Sequence, residues 1–312
     1  MGEAWSWVRE VLLAGGLIAT LIAVLVLMTG SWPPMVVIES NSMQHDADGE
    51  VGSIDAGDLV LVMSDERKHI ITYAEAIEEG GQYEGYENHG FPGDVIIYRK
   101  NGGMTTTPVI HRVLLQAVAD ETVTPVRSAE DPCIETEGSW DPVSIDSDGL
   151  TGTCVLTWRV PGTNVSNVET INLELDYTCK NGQKLNIVNW DPGHAGYVTS
   201  GDNTASNGCN VDQSAAVGDT SHYGSGLRDG NGYPVTAVRS DWIVGVAGAE
   251  IPWVGAIKLG LSNNSDFVPG PTWTKLVISA FVLLAVPAIW ERMANRTMES
   301  APEVEQARLE EE

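Results

Sequence analysis

The hydrophobic pattern divides the chain into two apolar runs near its ends and a long middle where short β-branched stretches alternate with polar turns. Val11 to Met28 is 18 residues without a charge. At about 1.5 Å per residue it covers roughly 27 Å, close to the hydrocarbon thickness of a bilayer. Trp5 and Trp7 precede it and Trp32 follows it, as an aromatic belt would place them. A cleaved signal peptide is the competing reading, but its apolar core usually has about 7–15 residues. The pattern therefore predicts a retained helix, ended by Trp32-Pro33-Pro34. Leu276 to Trp290 is a second run of 15 residues. It covers only about 22 Å, so Lys275 and Glu291 would have to snorkel or the bilayer thin. A buried amphipathic helix is the competing reading there. Arg9 before the first run, and Arg292 and Arg296 after the second, place both termini in the cytoplasm and Pro33 to Pro271 outside.

The middle reads as mostly β. Leu59-Val60-Leu61-Val62, Val95-Ile96-Ile97-Tyr98 and Val109-Ile110-His111-Arg112-Val113 are short strands, and Gly57-Asp58 and Gly93-Asp94 supply turns before two of them. A polar insertion between Ser64 and Pro92 holds one helical turn at Tyr73 to Glu79. A larger insertion, 119–190, carries alternating strands at Cys154–Val160 and Thr170–Tyr177 and reads as an accessory β subdomain. The resulting organisation is a stub and anchor (1–32), the first part of the main β domain (33–118), the accessory subdomain (119–190), the second part of the main β domain (191–271), a C-terminal transmembrane helix (272–291) and an acidic tail (292–312).

Charge narrows the function classes. There are 43 acidic against 17 basic residues, net −26, and only six lysines. Such a surface repels nucleic acid, so no nucleic-acid partner is expected. Its self-repulsion is screened when the Debye length falls to about 3 Å in 1 M salt, which implies a salt-loving source and loss of structure on dialysis to low salt. Cys133, Cys154, Cys179 and Cys209 match no zinc spacing. In a segment outside the cell they allow up to two disulfides, with isolated buried thiols as the alternative. The sequence calls for no metal and no cofactor.

Val36-Val37-Ile38-Glu39-Ser40-Asn41-Ser42-Met43 is a β-branched strand that delivers a serine shortly after the first apolar run. A serine hydroxyl needs a base. His45, His69, His89 and His222 lie in polar loops and read as solvated, while His194 follows Asp191-Pro192-Gly193 and reads as part of a turn. His111 differs in lying within a strand, although a strand histidine is ordinarily a core or edge residue. From the residues alone, Ser42 with His111 is the candidate pair.

Five boxes in order carry a resemblance: Ser40-Asn41-Ser42-Met43; Gly93-Asp94-Val95-Ile96-Ile97-Tyr98; Ile110-His111-Arg112-Val113; His194 to Asn203, ending in Gly201-Asp202-Asn203; and Asp241 to Gly245 with Ile251-Pro252-Trp253-Val254-Gly255. Behind an anchor, they resemble type I signal peptidases over about half the chain. Histidine at 111, where the bacterial branch has lysine, is similar to the archaeal and endoplasmic-reticulum branch. With the acidic composition, it resembles the salt-loving archaeal members. Gln44-His45 departs from the family's residue-proline pair, and Ser200 replaces its usual lysine.

The resemblance implies a signal-peptidase-type β catalytic domain flanked by N- and C-terminal transmembrane helices. It assigns Ser42 as nucleophile, His111 as general base, Asp212 as the orienter of the imidazole, Asp202 as loop support or alternative orienter, and Ser40 as an oxyanion donor. Partners would be signal peptides of secretory pre-proteins, membrane lipid and the Sec translocon. A different class stays open: a catalytically inactive, membrane-anchored extracellular β binding module, for which the large insertions speak. A calcium-dependent surface module rests only on the acid-rich loops.

Overall fold

The computed structural model describes residues 2–105, 107–128, 133, 139–146, 149–178, 182, 184–205, 211–212 and 237–299. Cys179, Cys209, His222 and the residues after 299 lie outside them. The described chain is mostly β, with antiparallel pairing throughout and a long apolar helix near each end.

Helix α1 runs from Gly2 to Thr29. It stops before Trp32-Pro33-Pro34, because Gly30 adopts the left-handed conformation (φ +71°) and its N–H donates to Val26 O at 2.8 Å. Arg67 Nη1 donates to Leu27 O at 2.7 Å, setting a cation on the negative end of the helix. Strand β1 (Met35–Val37) follows and pairs with β2 (Leu59–Met63). In β2 every second residue, Val60 and Val62, is buried on one face, as a period of two requires.

The 64–92 insertion carries one short helix, α2 (Tyr73–Ile77), begun by a capping box in which Thr72 and Glu75 bond each other's backbone N–H. It then forms a two-stranded ribbon, β3 (Glu87–Asn88) with β4 (Phe91–Pro92). Strand β5 (Val95–Tyr98) pairs with the first residues of β6 (Val109–Ser128), Ile96 facing His111. β6 does not stop at residue 118. It continues into the accessory region, where it pairs with β8 (Gly149–Arg159), itself paired with β7 (Ser139–Asp146). Strands β9 (Ile171–Thr178) and β10 (Lys184–Trp190) form a separate hairpin, and β11 (Gly196–Ser200) returns to pair with β6. With β12 (Ile243–Ile251), the 8-stranded sheet runs β1-β2-β12-β5-β6-β8-β7, with β11 as the eighth strand pairing β6 off this path, and leaves β1 at an edge. Cys133 and Cys154 are joined by a disulfide.

One core gathers Leu114, Leu115, Trp158, Ile171, Ile187, Trp190 and Val198 beneath the accessory strands. A smaller one gathers Ile38, Met43, Ile54, Val60, Val95 and Ala247. The short helix α3 (Gly255–Leu261) leads to α4, which spans Gly270–Glu299 with Pro287 inside it. The second apolar run is thus part of a longer helix than its 15 residues imply. Lys275 Nζ donates to Asp48 O (3.0 Å) and Gly49 O (2.7 Å), in the loop just after Ser42. Trp7–Thr29 and Gly270–Asn295 have mean hydropathies of 2.8 and 1.8, with 0% and 6% buried by protein. Two helices with this length and uncovered apolar surface fit a two-pass membrane protein.

Candidate active site

Ser42 sits in a turn at the end of the segment that leaves β1, closed by the Gln44 N–H donating to Asn41 O at 3.2 Å. The turn is fixed from below by Met43, 1% exposed in the smaller core. Burying such a side chain contributes about 1.5–3 kcal/mol. From the side it is fixed by Asn203, whose N–H donates to Ser42 O (2.9 Å) and whose Nδ2 donates to Asn41 O (2.8 Å).

His111 arrives on β6. Its Nδ1 is hydrogen-bonded to Asp212 Oδ2, which also accepts from Thr199 Oγ1 at 3.2 Å. The Asp212 N–H donates to Thr199 O at 3.2 Å, so this carboxylate is held by β11 through both backbone and side chain. Nε2, the other ring nitrogen, faces Gly201. A Cβ built on Gly201 would lie 2.5 Å from Ser42 O and 3.1 Å from His111 Nε2. Glycine alone lets the Ser42 carbonyl and the imidazole close on the same point. The Ser42 hydroxyl is paired with Ser40 Oγ at 3.3 Å. The structure therefore brings Ser40, Ser42, His111 and Asp212 into one place, though they are spread over more than half the sequence.

Asp202 is placed elsewhere. Alternation along β6 turns Arg112 to the face opposite His111, where it is fully buried. Its Nε and Nη2 donate to the Asp202 carboxylate at 2.7–3.0 Å. Its Nη1 donates to the carbonyls of Asn88, Phe91, Pro92 and Gly93 at 2.6–3.2 Å. Burial alone would raise the Asp202 carboxyl. The Arg112 guanidinium, helped by a 3.2 Å hydrogen bond with His45 Nε2, outweighs burial and holds it below the ordinary carboxylate value.

Two residues with clear roles were not legible as such. Arg112 was visible only as the neighbour of His111, and its signal was a cation in a strand that must be buried and therefore paired. His45, expected to be solvated, is 14% exposed at its side chain and packs on Phe91 with ring centroids 4.2 Å apart. His89 is likewise not solvated: its Nδ1 lies 3.2 Å from Glu250 Oε2. Both departures have one cause, because the 64–92 insertion folds back onto the sheet, laying Phe91 on His45 and carrying its own His89 to Glu250. His194 bonds the neighbouring Ala195 O and takes no part in the site. Among the described residues, no group of three or more His, Cys, Asp or Glu could hold a metal ion.

Asp58, just before β2, carries a titration that stability should report. Burial pushes its carboxyl up to about 6, and N–H groups of Trp253 (2.8 Å) and Asp55 (2.9 Å) only partly oppose this. The folded state therefore binds this proton more tightly than the unfolded state, whose value is 3.8. Stability from Asp58 is full below about 4 and is lost as pH rises through 6. At about 1.4 kcal/mol per tenfold change in proton affinity the loss is about 3 kcal/mol. Melting in constant high salt should be higher at pH 5 than at pH 7.5, and Asp58→Ala should flatten that difference. An unchanged profile in the variant would refute the assignment.

In comparisons with protein-family models, curated proteins and solved structures, nothing matches this chain.

Proposed function

We propose that the chain is a serine hydrolase, and within that class a membrane-bound endopeptidase that removes signal peptides from secretory pre-proteins. The observation that carries this reading is the convergence of the Ser42 backbone carbonyl and His111 Nε2 on Gly201, which sets the Ser42 turn beside the imidazole, with His111 Nδ1 held by Asp212. Ser42 Oγ exchanges its Ser40 partner for His111 Nε2 and attacks the peptide carbonyl carbon while the imidazole takes the hydroxyl proton. The oxyanion is met by the Ser42 N–H and the Ser40 hydroxyl. Collapse expels the amine of the mature chain, which takes the proton from His111. Water activated by the same nitrogen then hydrolyses the acyl-serine. Asp212 accepts from Nδ1–H throughout and keeps that proton in place.

Position supports the same reading. The C-terminal end of α1 ties to the domain just after β2, Thr29 O accepting from Ser64 N–H at 2.9 Å, and the second turn of α4 ties to the loop after Ser42 through Lys275 with Asp48 and Gly49. A signal peptide emerging from the bilayer would meet the nucleophile at that face. The free edge of β1 can add an extended substrate as a further strand. A groove of about 610 Å³ lined by Val37, Leu59, Ile257 and Leu261 runs beside it. In this reading the domain lies outside, both termini are cytoplasmic, the translocon delivers the substrate, and the acidic surface belongs to a salt-loving archaeon.

The deciding experiment uses the full chain in lipid at high salt with a pre-protein bearing small residues one and three before the cut. Wild type should release one mature N-terminus. No cleavage of such substrates would leave the inactive β binding module. Gly201→Ala gives a sharper test. Gly201 does not use the left-handed region, so an alanine would strain only its neighbours, the Ser42 carbonyl and His111. Turnover should fall on the order of 10²-fold, with an overpacking cost of about 1–3 kcal/mol. Retained activity would mean the two groups do not close on that point.

Depth in the bilayer can be tested separately. Leu261 (86% exposed) and Phe267 (54%) flank the contact of Gly260 with Trp273, in the first turn of α4. An environment-sensitive label on Leu261→Cys, read against the labelled unsubstituted chain, should be quenched by shallow lipid-borne quenchers rather than aqueous iodide. Iodide access equal to that of an exposed loop site such as Met104→Cys would reject this placement.

A further inference from the structure

Both insertions contribute to a cavity of about 280 Å³ next to the candidate site, lined by Tyr73, Phe91, Tyr177, Asp202 and Thr204. Tyr73 and Phe91 come from the 64–92 insertion, Tyr177 from β9 of the accessory region. The loop between them is the one that holds the nucleophile turn. Tyr177 OH donates to Gly201 O at 3.1 Å, and the Tyr73 and Tyr177 rings meet edge to face at 5.3 Å. The Asp202 carboxylate is consumed by Arg112 and His45 and presents no side-chain surface. Burial raises both phenols, so they stay neutral at physiological pH. The lining is therefore aromatic and uncharged in effect, with room for one large side chain and too little for a drug-sized ligand.

The geometry points to this cavity as a specificity pocket for a bulky apolar or aromatic side chain of the peptide cleaved at Ser42. It rests on the hydrolase reading above. The pocket shares no residue with β1, whose free edge receives the residues before the cut, so it falls to one of the first residues after the cut. That gives the two insertions a common purpose: each supplies aromatic walls to a leaving-group pocket that neither could build alone.

The test uses the full chain in lipid at high salt and pre-proteins differing only in the first three residues after the cut. At one of these positions phenylalanine should raise kcat/KM on the order of 10-fold over alanine, the size a single apolar side chain commands, and glutamate should lower it. Thr204→Trp, at the exposed rim, should bring the phenylalanine-to-alanine ratio close to one. In parallel, Ser42→Ala should bind the phenylalanine peptide more tightly than the alanine peptide. A benzoylphenylalanine at the favoured position should crosslink to segments containing Tyr73, Phe91, Tyr177 or Thr204. Cleavage with no preference, a preference untouched by Thr204→Trp, or crosslinks confined elsewhere would overturn the pocket. Absence of cleavage together with selective binding and these crosslinks would sink the hydrolase reading and keep the pocket. Absence of both would sink the two together.

Discussion

Ser42→Ala is expected to lower kcat/KM for pre-protein cleavage on the order of 10⁶-fold, and His111→Ala by nearly as much, with the double variant no worse than either alone. The non-additivity is the informative part. A hydroxyl without its base and a base without its hydroxyl both leave only substrate positioning and the oxyanion donors. Asp212→Asn should cost about 10⁴-fold, because the amide keeps the shape of the contact to Nδ1 but favours the wrong tautomer of His111. Ser40→Ala should cost on the order of 10²–10³-fold, the loss of one oxyanion donor. Ser42 is only partly buried and its hydroxyl bonds an exposed partner, so the melting temperature of Ser42→Ala should barely move. Single-turnover cleavage with melting curves on the same preparations separates catalysis from folding. Activity above about 1% in Ser42→Ala, or an Asp202→Asn variant that mimics Asp212→Asn without loss of stability, would reject these roles.

How much of this could be read in advance follows from the range of each signal. The helix near Val11–Met28, the strands at Leu59, Val95 and Val109 and the helical turn at Tyr73 are set by neighbours in sequence, and the described structure has each of them. The end of α1 was misplaced because a single glycine, Gly30, stops the helix before the Trp-Pro-Pro signal is reached. The length of β6 was not legible, since nothing local distinguishes a strand ending at Val118 from one that is paired onward by β8. The site divides in the same way. Ser42 and His111 stand in distinctive local contexts, whereas the burial of His45 and His89 depends on the 64–92 insertion, which carries His89, folding back onto the sheet. Asp212 and Asp202 are both acidic residues in loops. Only the tertiary path, with Thr199 and His111 on one side and Arg112 on the other, separates their environments.

Arg112 provides the largest stability prediction, and it bears on the site because of what it ties together. Arg112→Met should destabilise the folded chain by about 3–5 kcal/mol, the cost of leaving a buried charge without its partner. The upper end is expected, because five carbonyls of the 88–93 segment lose a donor along with Asp202. The pH dependence identifies the cause. In the wild type, the depressed Asp202 carboxyl stabilises the fold above its ordinary value of 3.8, and that contribution disappears as pH falls through the depressed value. Without the guanidinium, burial raises the same carboxyl, so protonation stabilises the variant instead. The gap between wild type and Arg112→Met should therefore narrow steadily as pH falls from 7 toward 4. Adding Asp202→Asn to Arg112→Met should recover part of the loss, as removal of the stranded charge requires. A gap that is independent of pH, or a double variant that simply adds both losses, would show that Arg112 acts by filling space. Because His45 joins the nucleophile turn to Asp202, and Arg112 is the residue next to His111, relaxing this pair loosens both halves of the proposed catalytic contact at once. Turnover should consequently fall in Arg112→Lys too, which keeps the charge but cannot span the carboxylate and the carbonyls together.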